Sequence, residues 1–188
     1  MFGYDWPRLH AAVNDLPAAL LLVTVLFDFG AGLTRRESLR AAALWTLWAG
    51  VIGGWVAVLA GLQAEDAIDH GEAIHELLER HELWGYITMG VFTALLLWKL
   101  WRRAGRSPAE EWALRALSVA GVVGLVLVAS IGGRLVFEHA AGIPNDRMTT
   151  ELIDRGVNLT APPPEPAAPD SAKAPGHTHA PGTKPHRH

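Results

Sequence analysis

Cysteine is absent from the 188-residue chain. That excludes disulfides, thiolate zinc sites, cysteine-ligated iron–sulfur clusters and the Cys-x-x-Cys-His attachment of c-type haem. Any metal here must be held by His, Asp, Glu or Met. A basic excess is missing as well, since 16 Lys and Arg stand against 19 Asp and Glu. The charges gather between apolar runs, so no extended basic surface is offered to nucleic acid. Large hydrophobic residues are nearly missing from residues 161–188, which hold eight of the twelve prolines. Such a segment cannot bury enough apolar surface to fold, and a disordered Pro/His-rich tail is expected there.

What is present is a set of long apolar runs. Leu16–Thr34 carries one charge, Asp28, while Ala41–Ala64, Leu83–Trp98 and Ala116–Gly133 carry none. A bilayer core of about 30 Å takes about 20 helical residues, and each run reaches that length with its flanking Trp or Arg. Soluble helices would need a polar stripe that the second and fourth runs lack. The fold class expected is therefore all-α: a polytopic membrane protein with four transmembrane helices in an up-down bundle. The spans fall at about 16–34, 41–64, 83–101 and 116–136 within a domain over 16–143. Residues 1–15 and 144–160 are an outer N-terminal segment and an outer connecting segment. No internal repeat is convincing in the sequence.

Charge in the connections sets the orientation. Arg35, Arg36 and Arg40 lie between spans 1 and 2, and Lys99, Arg102, Arg103, Arg106 and Arg115 between spans 3 and 4, against Arg80 alone between spans 2 and 3. The positive-inside bias puts both basic connections in the cytoplasm and both termini outside, in a bacterial cytoplasmic membrane. With no basic n-region or cleavage site ahead of it, span 1 is expected to be retained.

The histidines then sort to one face. His10 precedes span 1, His70, His75 and His81 lie in the outer connection or at the head of span 3, and His139 follows span 4. At 100° per residue His70, Ile74, Leu77, Leu78, His81, Gly85 and Thr88 share one helix face, so His81 is expected to point into the bundle. His75 falls with Glu72, Glu76 and Glu79 on the other, as a weak cation site or in solvent. Glu72-Ala-Ile-His75 matches the di-iron carboxylate spacing once, and that chemistry needs it twice. His139 is nearly in phase with Gly132 and Gly121, which leaves room for a flat macrocycle or serves close packing. Arg134 could neutralise a haem propionate or snorkel. Asp28, the carboxylate inside a span, is a functional candidate by default. Pairing with Arg35, Arg36 or a nearby hydroxyl and proton delivery to a quinone are both open to it, and Pro17 threatens its phase with His10. In the tail, His177, His179, His186 and His188 offer loose capture of Cu or Ni, or nothing more than a soluble spacer.

Gly132-Gly133-Arg134-Leu135-Val136-Phe137-Glu138-His139 resembles the Gly-Gly-x-Leu-Val-Tyr-x-His signature of the bacterial membrane family "domain of unknown function 2231". The opening His10-Ala-Ala-Val-Asn-Asp-Leu-Pro17-Ala-Ala-Leu20 is similar to that family's His-Pro-x-x-Val-His-Phe-Pro-x-Ala-Leu, and His81-Glu82 to its His-Glu at the third span. Ala11 and Asp15 stand where the family has proline and its second histidine. The resemblance implies four spans, shared positions His10, His81 and His139, and, since members occur beside or fused to Rieske-type domains, redox work.

The expectation drawn from these residues is a b-type haem electron-transfer protein or subunit. Two of His10, His81 and His139 are its axial ligands, with His81 and His139 favoured, and Arg134 stands near a propionate. Bis-imidazole iron relays electrons without activating oxygen. Its partners would be the lipid bilayer, a quinone, a periplasmic redox protein and a larger membrane complex. The alternatives are a Cu, Ni or Zn binding or transport protein using His10, His81 and His139, and an accessory subunit without a cofactor.

Overall fold

The computed structural model describes residues 5–66, 72–102, 105 and 107–160. His70 and the tail histidines lie outside them. Among the described residues there are five helices and no strands: α1 (Trp6–Thr34), α2 (Glu37–Glu65), α3 (Glu72–Trp101), α4 (Pro108–Phe137) and α5 (Asn145–Asp154). The first four are long and apolar enough to cross a membrane.

Two of the helices, α1 and α4, outrun their apolar cores because capping chemistry sets their starts. Asp5 accepts from the Arg8 N–H at 3.1 Å and Pro7 occupies the first turn, so α1 starts well ahead of Leu16 and His10 lies inside it. Ser107 and Glu110 close a reciprocal capping box at the head of α4, satisfying two otherwise orphaned donors. Arg35 takes a left-handed conformation with φ of 56°, and α2 begins shortly after it. That tight reversal makes α1 and α2 a helical hairpin, and α3 and α4 form a second one.

The helices pack along one side and leave the other apolar and open. Leu47, Phe92 and Leu95 are fully buried, whereas Leu33 and Phe137 are 85% and 90% exposed. An exterior this apolar is matched by lipid, not water. Asn145–Asp154 belongs to a separate compact unit; this short helix, in a stretch expected to be a plain connection, has no buried residue.

Contrary to the sequence reading, the second hairpin repeats the first at a fixed interval along the chain. In the first, Gly50 meets Leu21, Gly53 meets Pro17 and Gly61 meets His10. In the second, Gly121 meets Phe92, Gly124 meets Thr88 and Gly132 meets His81. Glycines on α2 and α4 thus seat side chains of α1 and α3 at matching positions. Burial follows the same register, with Leu21 and Phe92, Val25 and Leu96, Ala43 and Leu114, Leu47 and Ser118, and Ala64 and Leu135 all buried.

Candidate functional site

His10 on α1 and His81 on α3 meet between the two hairpins. Their ring centres are 6.3 Å apart and their planes nearly perpendicular, at 86°. Each ring leans on the other helix of its own hairpin. A Cβ at Gly61 would stand 3.1 Å from His10, and one at Gly132 would stand 3.0 Å from His81. His10 Nδ1 donates to the Ala57 carbonyl at 2.8 Å. That bond fixes the proton on Nδ1 and leaves the lone pair on Nε2. The Val128 backbone lies beside the His81 ring, yet His81 Nδ1 is buried without a completed hydrogen bond. Buried polar atoms left short of a bond are rare in folded chains and mark places where a ligand or a small movement supplies it.

The inward face read for α3 holds, since Leu77 and Thr88 are buried along with this side of His81. His75 points away and pairs with Glu79 at 3.4 Å, both well exposed. His139 is exposed at the end of α4 and not turned into the bundle. It lies in the turn that closes α4, where the Ala140 N–H still donates to the Val136 carbonyl at 3.0 Å and Ala140 itself turns left-handed at φ of 54°. His81, and not His139, occupies the open side of Gly132. His139 is exposed and lines an open cleft of about 150 Å³ with Glu76, Leu77, Arg80 and Arg134. In it Arg80 pairs with Glu76 at 2.5 Å, while Arg134 reaches Glu138 at 3.1 Å.

Asp28 finds a partner the sequence reading did not name. Lys99 on α3 donates to it at 2.5 Å, and both side chains are 9% exposed. Arg35 and Arg36 stand exposed at the reversal between α1 and α2. Pro17 does not interrupt α1; the ring packs against Gly53, and His10 and Asp28 both face α3. The step from His10 to Asp28 along α1 equals the step from His81 to Lys99 along α3. Each step is about five turns, or about 27 Å, close to the thickness of a bilayer core. The two helices thus carry a histidine pair at one end, an ion pair at the other, and an apolar core between.

The family described as "Predicted membrane protein (DUF2231)" matches residues 7–145. The chain belongs to the DUF2231 family. The match takes in all four long helices, both histidines of the pair, the Asp28–Lys99 pair and His139, and stops at the start of α5. No curated protein and no solved structure matches the chain.

His10 and His81 bring two imidazoles together. Imidazole nitrogen stands about 2 Å from a bound transition metal. The ring centre lies about an ångström further back, so two imidazoles on opposite sides of one metal atom have centres about 6 Å apart. The spacing of His10 and His81 fits that arrangement. Perpendicular planes fit it too, because turning a ring about its metal–nitrogen bond leaves the bond unchanged. Among the described residues no three His, Asp or Glu side chains converge as a metal site.

Proposed function

We propose that this DUF2231 protein is a membrane electron-transfer protein or subunit holding b-type haem between His10 and His81. The observation that carries the reading is the meeting of two imidazoles, with no third ligand nearby among the described residues, at the spacing of a shared metal atom. A bare Zn ion ordinarily takes three or four protein ligands, whereas haem would ask only two side chains of the protein. Haem held by His10 and His81 would supply one-electron chemistry.

The chain's own residues do the rest. The Ala57 carbonyl orients His10 and holds its tautomer, the outer-sphere support that metal-bound histidines ordinarily have. Gly61 and Gly132 let the backbones of α2 and α4 come up to the rings. Arg134, Arg80 and His139 line a cleft beside the head of α3 and are the donors for a haem carboxylate. The core below the pair, closed by Phe92 and Leu95, excludes water and keeps the centre at one end. In this reading the electron partners are a membrane quinone and a redox protein outside the membrane, within a larger complex.

Pigment content tests the function. Full-length protein purified in detergent from haem-sufficient cells is expected to carry about one haem per chain. Colourless protein, or stoichiometric Cu, Ni or Zn without haem, overturns the reading.

The histidine end faces outward in a bacterial cytoplasmic membrane, supported by the basic residues Arg35, Arg36, Arg40, Arg102 and Arg115 at the opposite end. Single cysteines at Ser38 and Ser107 are expected to resist an impermeant thiol reagent in intact cells, while one at Gly71 is labelled. Labelling of the first two from outside would reverse the orientation.

A further inference from the structure

The two histidines are not merely close; they hold the same place in the two repeated hairpins. His81 follows His10 by the same interval at which Gly132 follows Gly61. Between those positions Ala49-Gly50-Val51-Ile52-Gly53 returns as Ala120-Gly121-Val122-Val123-Gly124, and each of its glycines seats a residue of the preceding helix. Val128 holds the place in the second hairpin that Ala57 holds in the first. His10 Nδ1 uses the Ala57 carbonyl. His81 Nδ1, the equivalent atom, is buried beside Val128 without completing the bond.

At the far end the register persists, because Asp28 and Lys99 touch across an interval of 71 in sequence, the one that separates the histidines and the glycines. Equivalent residues of two copies can meet only where the copies face each other across their shared axis. That condition is met twice, about five turns apart. The hairpins are therefore parallel repeats about an axis running along the bundle, the arrangement in which membrane proteins build sites at the repeat interface.

We infer that the histidine centre is a two-fold site made of two interchangeable half-sites, each consisting of one imidazole, one seating glycine and one backbone carbonyl. The first half-site is His10, Gly61 and Ala57; the second is His81, Gly132 and Val128. Such a site takes a ligand that presents the same chemistry to both sides, as a single metal atom held by both imidazoles would. Gly61 and Gly132 are positioning residues: they act through the imidazoles and touch no ligand. The inference rests on the haem reading for the identity of the ligand, but not for the equivalence of the two seats.

Paired variants of the full-length protein test it, with haemin as the probe. His10→Gly and His81→Gly are each expected to lose the low-spin haemin spectrum of the parent and to regain it on addition of free imidazole. Gly61→Val and Gly132→Val are each expected to weaken haemin binding at least tenfold, to within about threefold of one another. Gly90→Val, on the opposite, exposed face of α3 with nothing within 4 Å of its Cβ, is the control and keeps parental binding. Rescue by imidazole at only one histidine, or full haemin affinity in only one glycine variant, overturns the equivalence while leaving a haem protein. If the parent binds no haemin, the haem reading fails, and the equivalence is decided on ligand-free protein. Gly61→Val and Gly132→Val then lower the thermal unfolding midpoint by like amounts if the seats are equivalent, and by clearly different amounts if they are not.

Discussion

Lys99→Met is expected to remove most of the folded protein from the membrane fraction. The substitution strands the Asp28 carboxylate in a place where water cannot reach it. Removing one partner of a buried ion pair costs about 3 to 5 kcal/mol, a large share of the roughly 5 to 15 kcal/mol that holds a typical domain together. Asp28→Leu alone is expected to do comparable damage by stranding the ammonium of Lys99. The double variant Asp28→Leu with Lys99→Met should recover, since exchanging a whole buried pair for apolar side chains is often neutral or stabilising. Yield of monodisperse protein and the thermal midpoint in detergent read all three. A parental midpoint for Lys99→Met would mean that water or another cation serves Asp28. In that case the pair does not join α1 to α3.

The second large effect falls on the histidines. His10→Ala and His81→Ala are each expected to abolish or strongly shift the Soret absorption of the purified protein, because iron with one imidazole becomes high-spin or is lost. His139→Ala should leave the axial spectrum intact and at most weaken retention of the pigment, because its exposed side chain faces the cleft with Arg80 and Arg134. His75→Ala, paired with Glu79 on the wet side of α3, should change nothing. Loss of the band in His139→Ala with its survival in His10→Ala would return the ligand pair to positions 81 and 139.

The spans were readable because the bilayer demands about 20 apolar residues in a row, and four uncharged or singly charged runs supply them. The ends were less so: Asp5 and Ser107 start helices through caps, so α1 and α4 outrun their apolar runs. Helical phase correctly turned His81 inward and His75 outward, since both lie within one unbroken helix. Phase alone did not show that His139 is exposed, because it stands in the turn that closes α4, just before the left-handed Ala140. The meeting of His10 with His81, and of Asp28 with Lys99, depends on helices far apart in sequence and could not be reached by local periodicity.

The repeat was hidden for a related reason. The seats are glycines in both copies, but the side chains that fill them differ, Leu21 against Phe92 and Pro17 against Thr88. Only His10 and His81 match among the three seated pairs. The common interval from His10 to His81 and from Gly61 to Gly132 was the signal in the sequence that could have disclosed the site.

Electron paramagnetic resonance of the oxidised, full-length protein puts the central claim to its most direct test, because it reports how many imidazoles hold the iron. Two axial imidazoles predict a low-spin ferric signal that disappears in His10→Ala and in His81→Ala and survives in His139→Ala. A high-spin signal in the parent protein, or no iron signal from protein made with full haem supply, would contradict a haem centre between α1 and α3.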